Sequence, residues 1–258
     1  MSINIDTPFS LAFLMYTPLH CIALRTVRYN DRNSILTVYT RENGRMSLLV
    51  PAGKGKTAAR YRALTMPMMQ FECVATIRPG NEVHTFKDLR PTHLITDTTP
   101  VHPLKSVVAF FLADFFSSLM REPLHDNASY SLISETATML WQSPAEKLPN
   151  LHILALLHTL TVIGIEPDTS TYAPGKRFNL NEGIWTRELV APPHHKLLTP
   201  EHSQFLATLL RMDKHNFHRF RFNRDERNLI VDNIIEYIAR HGAGKLKLTS
   251  LEVLRELF

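Results

Sequence analysis

Residues 50–63, VPAGKGKTAARYRA, contain Gly55-Lys56-Thr57, the closing letters of a phosphate-binding loop. Such a loop needs a glycine five positions earlier, where the backbone curls round the phosphates, and that position is Val50. It must also open a helix in a parallel α/β sheet, whereas the flanks here read as antiparallel strands. The segment therefore argues against nucleotide hydrolysis. Its charge has another use. No acidic residue lies between Glu42 and Glu72, while Arg45, Lys54, Lys56, Arg60 and Arg62 fall within 18 positions, with Tyr61 among them. Such a stretch can follow a phosphate backbone, releasing counterions, with an aromatic ring as a stacking platform. A solvated basic loop satisfies the same composition.

Other candidates carry less chemistry. In HNFHRFRFNR (215–224), Phe217, Phe220 and Phe222 read as core residues entering a helix, with solvent-facing arginines; a secondary nucleic-acid surface is the alternative. Thirteen histidines raise the question of a metal, but His152 and His158 sit about 600° apart round one helix, and His194-His195 has no thiolate or carboxylate cluster nearby. Cys21 and Cys73 fall in expected strands as small core residues. No Ser/His/Asp arrangement is legible, and the expectation is a protein that is not an enzyme.

The 258 residues are 44% hydrophobic and 21% charged, as in an ordinary folded chain. The formal charge of +5 is unevenly spread: Cys21–Arg62 holds nine basic residues against Asp31 and Glu42, a local +7 that leaves about −2 for the rest. Two cysteines exclude a disulfide scaffold and suit a reducing cytoplasm. The run PFSLAFLMY has no Lys or Arg before it and no cleavage pattern after it, so residues 1–14 read as an N-terminal extension, with Met1 and Met15 both open as the start. No apolar run approaches the roughly 18–20 residues of a spanning helix, and no membrane role is expected.

Two periodicities divide the chain. HCIALRTVR (20–28), NSILTVYTR (33–41) and RMSLLV (45–50) alternate like strands, separated by Asn30-Asp31 and by the stronger hairpin signal Asn43-Gly44. In QFECVATIRPG, Phe71, Cys73, Ala75 and Ile77 share one face, and EVHTFKDLR supplies a fifth strand. Five short strands with an insert between the third and fourth suit an OB-fold over 15–90. Residues 91–103, rich in Pro and Thr, read as a linker. From 104 to 258 the pattern is helical. LKSVVAFFLADFFSSLMR (104–121) is apolar on most of its circumference, with Ser106, Ala113, Asp114, Ser117 and Arg121 as its small or polar stripe. Helices follow at 130–141 and 150–164, then an irregular insert at about 166–198. Thr199-Pro200 opens another helix, and Asn223 with Glu226 opens the last, lined by Ile230, Ile234 and Ile238 and ended by Gly242. The fold class is α+β, an OB-fold barrel followed by an all-helical domain.

Residues 21–72 resemble the N-terminal domain of the RecO family of bacterial recombination mediators, through a strand ending in a basic turn, a Thr40-to-Gly44 step, a basic loop and a Pro67-to-Glu72 strand. The closing RNLIVDNIIEYIARHGAGKLKLTSLEVLRELF, with His241 and the Leu248-to-Leu254 tail, and the middle LLHTLTVIGIEPD, are similar to the same family. The resemblance covers about residues 16–258. It implies single- and double-stranded DNA binding, annealing of complementary strands, and partnership with RecR and with the acidic C-terminal tail of single-stranded-DNA-binding protein, so that RecA is loaded onto gapped DNA. Many members carry a four-cysteine zinc module after the Pro-Asp step; the corresponding stretch here has no cysteine, so no zinc or other cofactor is expected, with the module either collapsed or held by packing of Phe178, Trp185 and Leu189. Thr249 also departs from the lysine usual there.

On this reading Arg25, Arg28, Arg45, Lys54, Lys56, Arg60 and Arg62 contact phosphate, with Tyr61 stacking. Arg121, at the end of the central helix, is the candidate partner contact, on a hydrophobic groove with a basic rim. The expected place of action is the cytoplasm, on the nucleoid during repair. The alternative is an OB-fold protein that binds structured RNA, with a helical dimerisation domain.

Overall fold

A computed structural model describes residues 15–78, 80–92, 102–121 and 126–257. The N-terminal extension and most of the Pro/Thr-rich linker lie outside these residues. Five strands close into a barrel: β1 (Met15–Arg28), β2 (Asn33–Thr40), β3 (Gly44–Pro51), β4 (Gln70–Ile77) and β5 (Val83–Pro91), in the order β1-β2-β3-β5-β4. The parallel pairing of Ser47 with Val83 and Leu48 with His84 joins β3 to β5 and closes the ring, as in an OB-fold. Between β3 and β4 a helix, α1 (Lys56–Leu64), lays Ala58, Tyr61 and Leu64 against the barrel core.

Strand β1 starts five residues earlier than its alternation announces, because its first half pairs with β4 and its second half with β2. Both of its faces are buried. Leu19, Cys21 and Ala23 point into the barrel, where the sulfurs of Cys21 and Cys73 lie 3.8 Å apart. Burial, and then the Cys73 thiol, pushes the Cys21 thiol well up from its ordinary value. Ile22 and Leu24 point the other way, into the helical core, with Tyr39 and Met68.

That second core is built by α2 (Pro103–Leu119), α3 (Asn127–Gln142), α4 (Leu151–Val162), α5 (Pro200–Leu209), α6 (Arg224–Ile238) and α7 (Leu251–Leu257). The expected caps form. Thr199 Oγ1 accepts from His202 N at 3.2 Å, and Asn223 and Glu226 make both bonds of a capping box at 2.8 and 2.9 Å. Gly242, at φ +115, ends the α6 region in a backbone geometry that suits glycine. In α2, Ala113, placed on the small or polar stripe, is buried. The helix stops at Leu119, so Arg121 lies just beyond it and its Nε donates to Ser118 O at 2.8 Å.

The insert forms a small hairpin, β6 (Arg177–Asn179) with β7 (Ile184–Thr186). Its centre is Phe178 against Trp185, with ring centroids 4.6 Å apart, and Ser203 receives the Trp185 indole N–H at 3.0 Å. Leu189 takes no part in this packing. Its side chain is 81% exposed, and it contributes a carbonyl that accepts from Arg177 Nη1 at 2.8 Å. Among the described residues no group of three or more His, Cys, Asp and Glu is placed to hold a metal ion.

Candidate nucleic-acid interface

The barrel brings three separate basic segments to one end. Asn30 Oδ1 accepts from the backbone N–H groups of Arg32 and Asn33 at 2.9 and 2.8 Å, an Asx turn that leaves Arg28, Tyr29 and Arg32 projecting from the β1–β2 tip. Ala52 N donates to Arg32 O at 2.7 Å, tying the β3–α1 loop to that tip. Gly53, at φ +106, turns the loop beside Asp31, and its carbonyl accepts from Arg62 Nη1 at 2.5 Å. Lys54, Lys56 and Arg60 therefore lie on the same end as Arg28, Tyr29 and Arg32. All six are exposed, and Lys54, Lys56, Arg60 and Arg32 make no side-chain hydrogen bond or ion pair among the described residues. The first turn of α1 contains no acid. Val50, the residue that denies a nucleotide cradle, is a buried strand residue of the barrel core.

The other cations expected here have protein partners or lie elsewhere. Arg28 pairs with Asp31 at 2.5 Å, both well exposed. Tyr61 meets Phe86 edge-on with centroids 5.9 Å apart and closes the barrel mouth. The exposed ring at the tip is Tyr29, at 66%. The sequence pattern does not single it out.

Arg45 lies at the seam with the helices. Its Nη1 donates to Ser117 O at 2.8 Å and Met120 O at 3.3 Å, so it caps the last carbonyls of α2. Burial, then Arg121 and Arg25, lowers its pKa from the ordinary guanidinium value. Arg45 and Arg121 share a cleft of about 760 Å³ with Met46 and Ile77, on whose wall Glu42 and Glu82 also stand.

Arg25 reaches the surface through a β-bulge. Leu19, Cys21 and Ala23 face the barrel interior, and unbroken alternation would send residue 25 the same way. The register shifts between Ala23 and Arg25, Leu24 becomes the extra residue, and Arg25 pairs with Thr37 and emerges exposed.

Residues 15–95 match the family described as "Recombination protein O N terminal" and residues 102–250 match "Recombination protein O C terminal". The DNA repair protein RecO of Phocaeicola vulgatus is 30% identical over 238 residues, covering 92% of this chain and 97% of that protein. The protein of that name from Bacteroides fragilis is 30% identical over 239 residues, and that of Porphyromonas gingivalis 27% over 242, with the same shares covered. A barrel with a basic tip, a helical half fused to it, and both matches across nearly the whole length lead to one conclusion: the chain belongs to the recombination protein O family.

Proposed function

We propose that this protein is a non-enzymatic DNA-binding mediator of recombination and repair, which anneals complementary strands and, with RecR, helps RecA load onto single-stranded DNA covered by single-stranded-DNA-binding protein. The observation that carries the reading is the convergence of Arg28, Arg32, Lys54, Lys56, Arg60 and Arg62 at one end of an OB-like barrel, most of them without protein partners among the described residues. Each neutralises phosphate without reading sequence, and two strands so neutralised repel each other less. Tyr29 is the stacking residue of this face, and Tyr61 the residue that seats α1 beneath it.

The acidic tail of single-stranded-DNA-binding protein is assigned to the seam cleft, where Arg121 is the contact cation, Met46 and Ile77 line an apolar floor, and Glu42 and Glu82 set the limit of the acidic segment's approach. The test is annealing of complementary strands coated with single-stranded-DNA-binding protein, with and without its tail, together with a pulldown on RecR. Annealing that needs neither the tail nor the basic tip would sink the reading. Competition between single-stranded DNA and structured RNA for the pure protein separates it from an RNA-binding role.

A further inference from the structure

Helix α2 is buried round most of its circumference, yet Phe110 is 43% exposed while Val108, Ala109, Phe111 and Leu112 beside it are buried. A phenyl ring of this size left open on a core helix is unusual enough to ask what covers it. Phe110 borders a groove of about 410 Å³ between barrel and helices, with Leu24, Arg25, Thr26 and Pro67 on one side and Asp114 and Thr249 on the other.

The charges of this groove are already sorted. The Asp114 carboxylate accepts from Ser250 N at 2.9 Å, Ser250 Oγ at 2.8 Å and Thr249 Oγ1 at 3.2 Å, so it is committed to the start of α7. Arg25 has no hydrogen bond or ion pair among the described residues, and the bulge in β1 is what sends it here. An aromatic ring beside an uncommitted cation is the chemistry of a nucleotide subsite, with the ring for the base and the cation for its phosphate. Arg25 lies on the same strand as Arg28, about 10 Å away at strand rise, with the two side chains on opposite faces.

We infer that the groove between β1 and α2 holds one unpaired base of single-stranded DNA, stacked on Phe110 with an adjoining phosphate at Arg25. This rests on the DNA-binding reading above and adds a strand preference to it. In a duplex the faces of internal bases are already stacked on their neighbours, so Phe110 serves a single strand and not a duplex, whereas the cations of the tip serve both.

The experiment compares Phe110→Ala with the unchanged full-length protein on an oligothymidine single strand and on a duplex of equal length, at one salt concentration. Affinity for the single strand should fall about tenfold, the scale of one lost base stack, with duplex affinity unchanged within about twofold. Phe110→Trp should keep single-strand affinity and add an emission that the single strand quenches and the duplex does not. Equal losses on both DNAs, no loss on the single strand, or no selective quenching would each overturn the inference. The DNA-binding reading fails separately, if the unchanged protein binds neither DNA. Because Phe110 is exposed, thermal midpoints of the three proteins should agree to within a few degrees, and a large fall in one variant leaves the other to decide.

Discussion

Arg45 and Lys56 stand eleven residues apart in one acid-free stretch, and the fold gives them opposite employment. Lys56 opens an exposed helix at the barrel tip, beside Lys54, Arg60 and Arg32, none of which has a side-chain partner among the described residues. Arg45 is half-buried against the end of α2, donating to two carbonyls that the helix cannot satisfy itself. A basic residue is therefore a ligand-binding group or a structural one according to whether the chain supplies acceptors for it. At the tip the described residues offer Lys56 no acceptor; at the seam the protein's own backbone supplies two for Arg45.

The sharpest way to break that contrast is charge reversal at the tip. Replacing Lys54, Lys56, Arg60 and Arg62 together by Glu should weaken DNA binding by about 10²- to 10³-fold near physiological salt, alike for all sequences, and flatten the log–log salt dependence. The thermal midpoint should change little, since three of the four have no partner to lose; the exception is Arg62, which holds the Gly53 carbonyl. Titration by fluorescence anisotropy at several salt concentrations reads both quantities, and an unchanged affinity would move the site elsewhere.

The insert offers the opposite behaviour, stability without DNA contact. Gly183 lies at φ +71, and a Cβ placed there would stand 2.6 Å from Tyr237 Oη, which donates to Ile165 O at 2.8 Å. Gly183→Ala should cost about 3 kcal/mol in chemical denaturation, from the left-handed backbone and the displaced tyrosine together, with DNA affinity of the folded fraction intact. Arg45→Ala comes next, at about 2 kcal/mol, or roughly 4–8 °C in thermal midpoint, for two charge-assisted bonds in a half-buried place. A loss of DNA affinity without a loss of stability in that variant would erase the distinction between seam and tip.

How much of this was legible in the sequence follows from the range of the interactions concerned. The Asn43-Gly44 hairpin, the Thr199 and Asn223 caps and the buried Ile230-Ile234-Ile238 face are set by neighbours a few residues apart, and they appear where periodicity and turn chemistry put them, whereas β1 begins five residues early through its pairing with β4. The partners of Arg45 lie 72 and 75 residues away, beyond any local pattern. The outward turn of Arg25 depends on a bulge that alternation does not announce. Leu189 had the right residue type for a core and the wrong place, since the hairpin was already filled by Phe178 and Trp185.

The two tyrosines test the contrast at finer scale. Tyr29→Ala should lower single-strand affinity about fivefold to tenfold with stability unchanged, the loss of one exposed stacking surface. Tyr61→Ala should do the reverse, loosening α1 through its lost contact with Phe86 and reaching DNA only through that loosening. Paired denaturation and binding measurements on the two variants decide it; if Tyr61 proves the stronger DNA contact, the ring must leave Phe86 when the strand arrives.

The smallest effect concerns pH. His152 is fully buried edge-on to Phe111, and burial, then Arg227, lowers its pKa to about 3. A histidine held neutral in the fold takes up its proton only on unfolding, at its ordinary value near 6.5. Its contribution to stability is therefore whole above that value and is lost as pH falls from there towards about 3. Between pH 8 and pH 6 the loss should be about 1 kcal/mol, with His158, also held low chiefly by burial, adding in the same direction. His152→Leu should flatten most of this slope in denaturation curves at the two pH values while leaving DNA affinity as it was. A slope unchanged by that substitution would mean that the acid sensitivity lies outside the helical core.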